Sequence, residues 1–301
     1  MEISAKLVKE LRDKTNAGML DCKKALAESG GDLEKAVDWL RQKGLMTARK
    51  RAGRATKEGL IVAGVSPDLK RGALLELNCE TDFVAKNEAF QKLAADLIDL
   101  LLTSPEVPAK VGDLLARPLN SGAGSVDDRL KALVGTIGEN MNLRRFVVAQ
   151  ARDRAFMHSY IHGPGRLGVL VELEAEKPGP AAEELAHNLA LHIAAANPMA
   201  LSPEEVPADS LEREKNIFRA KLAESGKPEN MWDKIMAGQI NKFYSEVVLT
   251  QQAYVRDASG RTSIAQLLKE SAAACGRVAV KSFHRFQLGD ELPGENSGGE
   301  E

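Results

Sequence analysis

The chain has few of the residues that would announce a covalent chemistry. Its 301 residues include three cysteines, Cys22, Cys79 and Cys275, odd in number and far apart. That spacing excludes a disulfide framework and any CxxC metal pattern, and it fits a reducing, cytoplasmic setting. Aromatic residues make up 4% of the chain, so a core must be built from Leu, Val, Ala and Ile. No run approaches the roughly 18 apolar residues of a membrane span. The start, MEISAKLVKEL, places charges where a secretory leader needs an apolar run. GxxxxGK[ST], GxGxxG after a strand, GxSxG and HExxH are all missing. Five histidines are scattered, and His187 and His192 stand five apart, which is wrong for neighbouring ligands on one helix face. His158 and His162 share one face of an expected strand, but no acid or Cys is spaced to join them. Neither an enzyme, a metal site nor a cofactor site is expected.

What is present is ordinary globular material, 44% hydrophobic and 28% charged, enough for roughly two to three domains. Charge is uneven. Residues 1–54 carry 13 Lys+Arg against 8 Asp+Glu, a net +5 that leaves −7 on the rest of a chain whose total is −2. The two parts should therefore show surfaces of opposite sign.

The first 45 residues read as three short helices. Leu7, Val8 and Leu11 share a face of the first, and Asn16-Ala17-Gly18 breaks it. Met19, Leu20, Cys22, Ala25 and Leu26 belong to the second. Gly30-Gly31-Asp32 stops that helix and caps a third, carrying Leu33, Ala36, Val37 and Leu40, which Gly44 is expected to end. So small a unit suits docking. A basic connector, TARKRAGRATKEG, follows. Its stretch ARKRAGR could touch phosphates, although no aromatics are interleaved for stacking, which disfavours nucleic acid as a partner.

From residue 58 the pattern turns to strands. LIVA and ALLEL flank the turn Ser66-Pro67-Asp68, and a helix runs from about Asn87 to Leu102. Residues 103–126 read as connector, a helix follows at about 127–139, and RRFVVAQ is a strand. Then the pattern repeats: GALLEL, from Gly72, aligns with GVLVEL, from Gly168, at an offset of 96 residues. Each copy has a strand before it and a helix ending near a proline, and GRVAVKSFHRFQL closes the second copy as LRRFVVAQ closes the first. A duplicated α+β core is the result, at 55–150 and 151–288. Two helical segments, 209–224 and 229–245, interrupt the second copy around SGKPE and form a hairpin at about 206–247. The end, 289–301, is acidic and Gly-rich, without hydrophobic period, and reads as a disordered tail.

One stretch resists the bland reading. In LELNCETDFVAKNEAF the turn Thr81-Asp82-Phe83-Val84 joins a strand to a helix. Asp82 could cap the helix while Phe83 staples its first turn to the core. Alternatively, Phe83 points outward from a rigid corner as a wedge for a partner. Met19 and Leu20 pose the same choice between core and docking edge, beside Lys23 and Lys24.

These segments together, LVKELRDKTNAGMLDCKKAL, LELNCETDFVAKNEAF, IGENMNLRR and YIHGPGRLGVLVEL, closely resemble the bacterial elongation factor Ts family over roughly residues 1–288. The family comprises guanine-nucleotide exchange factors of elongation factor Tu. The resemblance implies a ubiquitin-associated-like domain over residues 1–54, a duplicated core and a helical dimerisation hairpin. It implies that Thr81, Asp82, Phe83 and Val84 enter near the nucleotide's magnesium and phosphates on the partner, GDP-bound or nucleotide-free Tu. It also carries over Met19 and Lys23 on the docking domain, and Ile137, Gly138, His162 and Val255 on the core, as contacts to Tu. A homodimer or a two-to-two complex stays open. Many members finish with an amphipathic helix, where this chain has its Gly- and Glu-rich tail. The rivals are a ubiquitin-associated-type adaptor, an RNA-binding translation protein using residues 49–57, and an enzyme of a kind the motifs do not reveal.

Overall fold

In the computed structural model, described for residues 3–15, 17–119, 124–224 and 228–292, the chain is α+β. Three helices come first, α1 (Ala5–Thr15), α2 (Met19–Glu28) and α3 (Leu33–Arg51). Asp32 caps α3, its carboxylate accepting the Glu34 and Lys35 N–H groups. Val8, Leu11, Cys22, Ala25, Leu26 and Ala36 fill the space between the three helices. Of the expected break Asn16-Ala17-Gly18, Ala17 and Gly18 lie between α1 and α2, and Asn16 lies outside the described residues.

Gly44 does not end α3. The helix runs seven residues further, to Arg51, and Gly44 is buried inside it. The reason is tertiary: α3 crosses α7 (Val126–Ile137) there, glycine against glycine. A Cβ on Gly135 would stand 2.4 Å from the Gly44 Cα, so the backbones can meet only because position 135 has no side chain, whereas a Cβ on Gly44 would meet nothing closer than 3.5 Å. The close approach offsets the roughly 1 kcal/mol by which Gly weakens a helix relative to Ala. Arg41 on α3 pairs with Asp128 on α7 at 3.0 Å, a second tie between the two helices. The first five of the thirteen residues of the expected basic connector, Thr47 to Arg51, are therefore helix, and only residues 52–57 connect it to the core.

The core is two three-stranded antiparallel sheets. The first joins β1 (Glu58–Val65), β2 (Arg71–Cys79) and β3 (Met141–Gln150), with β2 central. The second joins β4 (Ala155–His162), β5 (Leu167–Ala175) and β6 (Val278–Gln287), with β5 central. Both sheets carry a bulge at the same place in the repeat: the register slips between Glu76 and Leu77 against β3, and between Glu172 and Leu173 against β6. Those positions differ by the 96 residues of the sequence offset. A shared irregularity is stronger evidence of duplication than shared strands, because bulges are specific features of a fold.

Ala73, Leu75 and Leu77 face α5 (Glu88–Thr103) and α7, while Val169, Val171 and Leu173 face α8 (Pro180–Ala196) and α11 (Ile264–Cys275). The opposite faces meet each other. A Cβ on Gly168 would strike Ile61 and Leu74, and one on Gly72 would strike Leu170. With both faces covered, the central strands read as continuous apolar runs rather than alternating ones. Glu76 is the charged exception, fully buried between the sheets. Arg144 and Arg145 neutralise it at 3.1 and 2.7 Å. Arg145 reaches on to the Asp290 carboxylate at 3.1 Å and stacks 4.1 Å over the Phe286 ring. Asp290, expected in a disordered tail, is thus bound to the body; residues 293–301 of that tail lie outside the described residues.

Residues 103–126, expected to be connector, contain a short helix, α6 (Val111–Leu115). The hairpin is α9 (Ala208–Glu224) and α10 (Trp232–Val247); residues 225–227 of its SGKPE joint lie outside the described residues. Leu211 and Phe243 pack at its base on Ala200, Val206 and Val248. Beyond the base, Phe218, Trp232, Met236 and Ile240 stay half-buried, because two helices alone cannot cover both apolar stripes.

Candidate partner-binding surface

The Thr81–Val84 corner is built by division of labour along one turn of helix, α4 (Asp82–Ala85). Val84 and Ala85 are buried and fill the core under β2. A single turn that commits two adjacent residues inward must send the two before them outward. Phe83 is accordingly 80% exposed. It is no staple. Asp82 is no cap either: its Oδ2 takes the Lys86 ammonium at 2.6 Å, one turn on. That bond holds the Asp82 carboxyl below the usual carboxylate range. The same Lys86 Nζ lies 6.0 Å over the Phe83 ring. The corner presents an aromatic edge flanked by an acid and a base.

Beneath it the structure is rigid. Cys79 donates its thiol to the Thr81 carbonyl at 3.1 Å, and burial pushes that thiol up to about 12, so it is an inert packing group. The Thr81 N–H and hydroxyl both go to Glu139, at 3.0 and 2.8 Å. Glu80 in turn accepts the Asn140 N–H at 2.6 Å, and that bond, ahead of the Arg54 guanidinium, keeps its carboxyl low. Arg54 and Arg51 approach Glu80 at 3.4 and 4.0 Å. Two arginines of the supposed phosphate-binding stretch are thereby turned onto the protein itself.

Ile137 and Gly138 sit immediately before Glu139. Ile137 is half-buried at the end of α7, and Gly138, at φ 88°, supplies the left-handed cap that stops the helix. They belong to the same end of the molecule as Phe83. His162 is exposed at the end of β4, its Nδ1 2.8 Å from the Tyr160 hydroxyl. Val255 is half-exposed on the loop before α11. Its N–H donates to His192 Nδ1 at 3.2 Å, which leaves the proton on Nε2 to bind Gln252 at 2.9 Å. His192 is therefore a buried strut for the Val255 loop. The structure brings His158 to His187, at 3.2 Å, rather than to His162. Among the described residues no group of three or more His, Cys, Asp or Glu side chains could hold a metal ion.

On the small domain Met19 and Lys23 are exposed, and so is Leu20, at 84%. Met19 and Leu20 are not core. The helical period carried the signal: with Cys22, Ala25 and Leu26 inward, Leu20 must share the outer face with Lys23 and Lys24. Glu139 had no signal of its own in the sequence, since its partner is 58 positions away.

Residues 80–290 match the protein family described as Elongation factor TS, beginning at the very corner that presents Phe83. The chain belongs to the elongation factor Ts family. Its relatives are similar along the whole length. Elongation factor Ts of Clostridium botulinum (strain Eklund 17B / Type B) is 47% identical over 291 residues, covering 96% of this chain and 94% of its own. That of Nitratidesulfovibrio vulgaris (strain DP4) is 44% identical over 302 residues, 99% of each chain. That of Trichlorobacter lovleyi is 45% identical over 303 residues, 99% of this chain and 96% of the relative. As a member of the elongation factor Ts family, the chain is a translation elongation factor. Among the described residues, no helix is long and apolar enough to cross a membrane.

Proposed function

We propose that this chain is a guanine-nucleotide exchange factor that binds elongation factor Tu carrying GDP and promotes GDP release by disturbing the magnesium and phosphate site. Phe83 carries the proposal: a large aromatic, 80% exposed, on a corner whose neighbours are locked into the core. A free surface gains nothing from that arrangement, whereas a partner pocket gains a rigid apolar anchor whose water contact is lost on binding. Magnesium demands near-ideal octahedral oxygen coordination, so a small displacement of its surroundings weakens nucleotide binding sharply.

No bond is made or broken in this process, and the protein is no enzyme in the covalent sense. It needs only to bind nucleotide-free Tu more tightly than GDP-bound Tu. Linkage then requires that factor and GDP weaken each other's binding equally. Met19, Leu20 and Lys23 on the basic small domain would dock first, with Ile137, Gly138, His162 and Val255 extending the contact over the core. The partly exposed stripe of Phe218, Trp232, Met236 and Ile240 supports self-association or bracing of a two-to-two complex through the hairpin.

The deciding experiment is a fluorescence trace of labelled GDP leaving purified Tu. Addition of this protein should speed release many-fold at substoichiometric amounts. A trace unchanged by saturating protein would refute the exchange reading and leave the adaptor or RNA-binding rivals.

A further inference from the structure

We infer that Glu139 is the positioning residue of the exchange corner, acting on the partner only through the orientation it imposes on Phe83. The inference rests on the exchange reading above, and its test separates the two. α4 is four residues long, a single turn, too short to hold itself, since helix nucleation is unfavourable until several turns form. Thr81 stands at its N-cap position but lends it no side-chain cap. The hydroxyl that would cap it is turned to Glu139 instead. One carboxylate thereby takes both the N–H and the O–H of the residue two before Phe83, at 3.0 and 2.8 Å. Charge-assisted bonds of this kind are about twice as strong as neutral ones.

The brace is reciprocal. Glu80 sends its carboxylate to the Asn140 N–H at 2.6 Å, and the Asn140 amide donates to the Arg54 carbonyl at 2.8 Å. Segments 80–81 and 139–140 thus exchange carboxylates, each onto the other's backbone, and the segment after α3 is tied to the same joint. A corner aimed in advance loses little freedom on binding; a loosened one must be ordered by the partner at the moment of entry. Glu139 itself need touch nothing on the partner.

The test is stimulated GDP release from Tu, measured with full-length variants over a range of factor concentrations. Glu139→Ala should lower the maximal release rate about five-fold or more, and no further than Phe83→Ala lowers it. The concentration for half-maximal stimulation should move less than about three-fold, because the docking face of α2 is untouched. Made on a Phe83→Ala background, the same change should slow release less than about two-fold further, since there is no wedge left to aim. Glu139→Gln should recover most of the rate: its amide oxygen accepts the Thr81 N–H and its NH2 donates to the Thr81 hydroxyl. Thr81→Val, which removes only the hydroxyl bond, should slow release about three-fold with Phe83 present and not without it. If Glu139→Ala fails to fold, the Thr81→Val pair decides alone. Equal slowing in both backgrounds, or no slowing with Phe83 present, overturns the inference. Wild-type protein that fails to speed release overturns the exchange reading instead.

Discussion

Phe83 and Phe90 lie seven residues apart and should respond to truncation in opposite ways. Phe90 is fully buried in the first core, whereas Phe83 is 80% exposed. Emptying a buried Phe site costs roughly 3–5 kcal/mol, while an exposed substitution usually stays within about 0.5 kcal/mol. At about 2–4 °C per kcal/mol for a body of this size, Phe90→Ala should melt roughly 10 °C low and Phe83→Ala within about 2 °C of wild type. Function should invert the order. Burying a whole Phe side chain is worth about 1.5–3 kcal/mol, so moving the exposed four-fifths of Phe83 into a partner supplies about 1–2.5 kcal/mol. At 1.36 kcal/mol per decade, Phe83→Ala should slow stimulated GDP release roughly 5- to 60-fold. Folded Phe90→Ala protein, assayed below its melting temperature, should release GDP at a rate much nearer wild type. Asp82→Ala should also slow release without lowering the melting temperature, because Asp82 bonds Lys86 and caps nothing. A Phe83→Ala protein that melts about 10 °C low and exchanges normally once folded would place Phe83 in the core and defeat the wedge.

Gly135→Ala puts a methyl 2.4 Å from the Gly44 Cα and should destabilise by about 1–3 kcal/mol in urea unfolding. Gly44→Ala meets nothing closer than 3.5 Å and should be neutral or stabilising; equal losses would contradict the crossing. Asp128 is drawn from 3.8 down to about 2, first by the Ser125 N–H and then by Arg41. A depressed carboxyl stabilises fully above its ordinary value, so the advantage of wild type over Asp128→Asn, about 1 kcal/mol, should fade between about pH 4 and 2. A gap that persists unchanged at pH 2 would exclude that carboxylate as its source. Lys23→Glu should slow association with Tu, more at low salt than at high, as stopped-flow mixing would show; unchanged kinetics at low ionic strength would remove Lys23 from the interface. Deleting residues 206–247 should change the sedimenting stoichiometry of the free protein or its Tu complex, and identical stoichiometry would leave the hairpin's stripe without a partner of that kind.

Local chemistry alone was enough for much of the fold. Asp32 names a helix start, GALLEL and GVLVEL name the central strands of two related sheets, and their 96-residue offset predicts a shared layout that extends to the bulges after Glu76 and Glu172. These features rest on neighbours within a few residues or on repetition, and both are visible in one dimension. The four segments that carry the family resemblance are legible for the same reason. Three decisions were not local. Gly44 has the same signature whether it ends a helix or lets another helix cross, and Gly135, 91 positions on, chooses the second. Phe83 suits a staple as well as a wedge until Val84 and Ala85 have taken the space beneath β2. The rigidity of its corner comes from Glu139 and Asn140, which meet Thr81 and Glu80 only once β3 has paired with β2 at its particular register. Sequence specifies what each segment prefers, but excluded volume and the pairing of distant carboxylates with backbone N–H groups exist only after the chain has closed on itself.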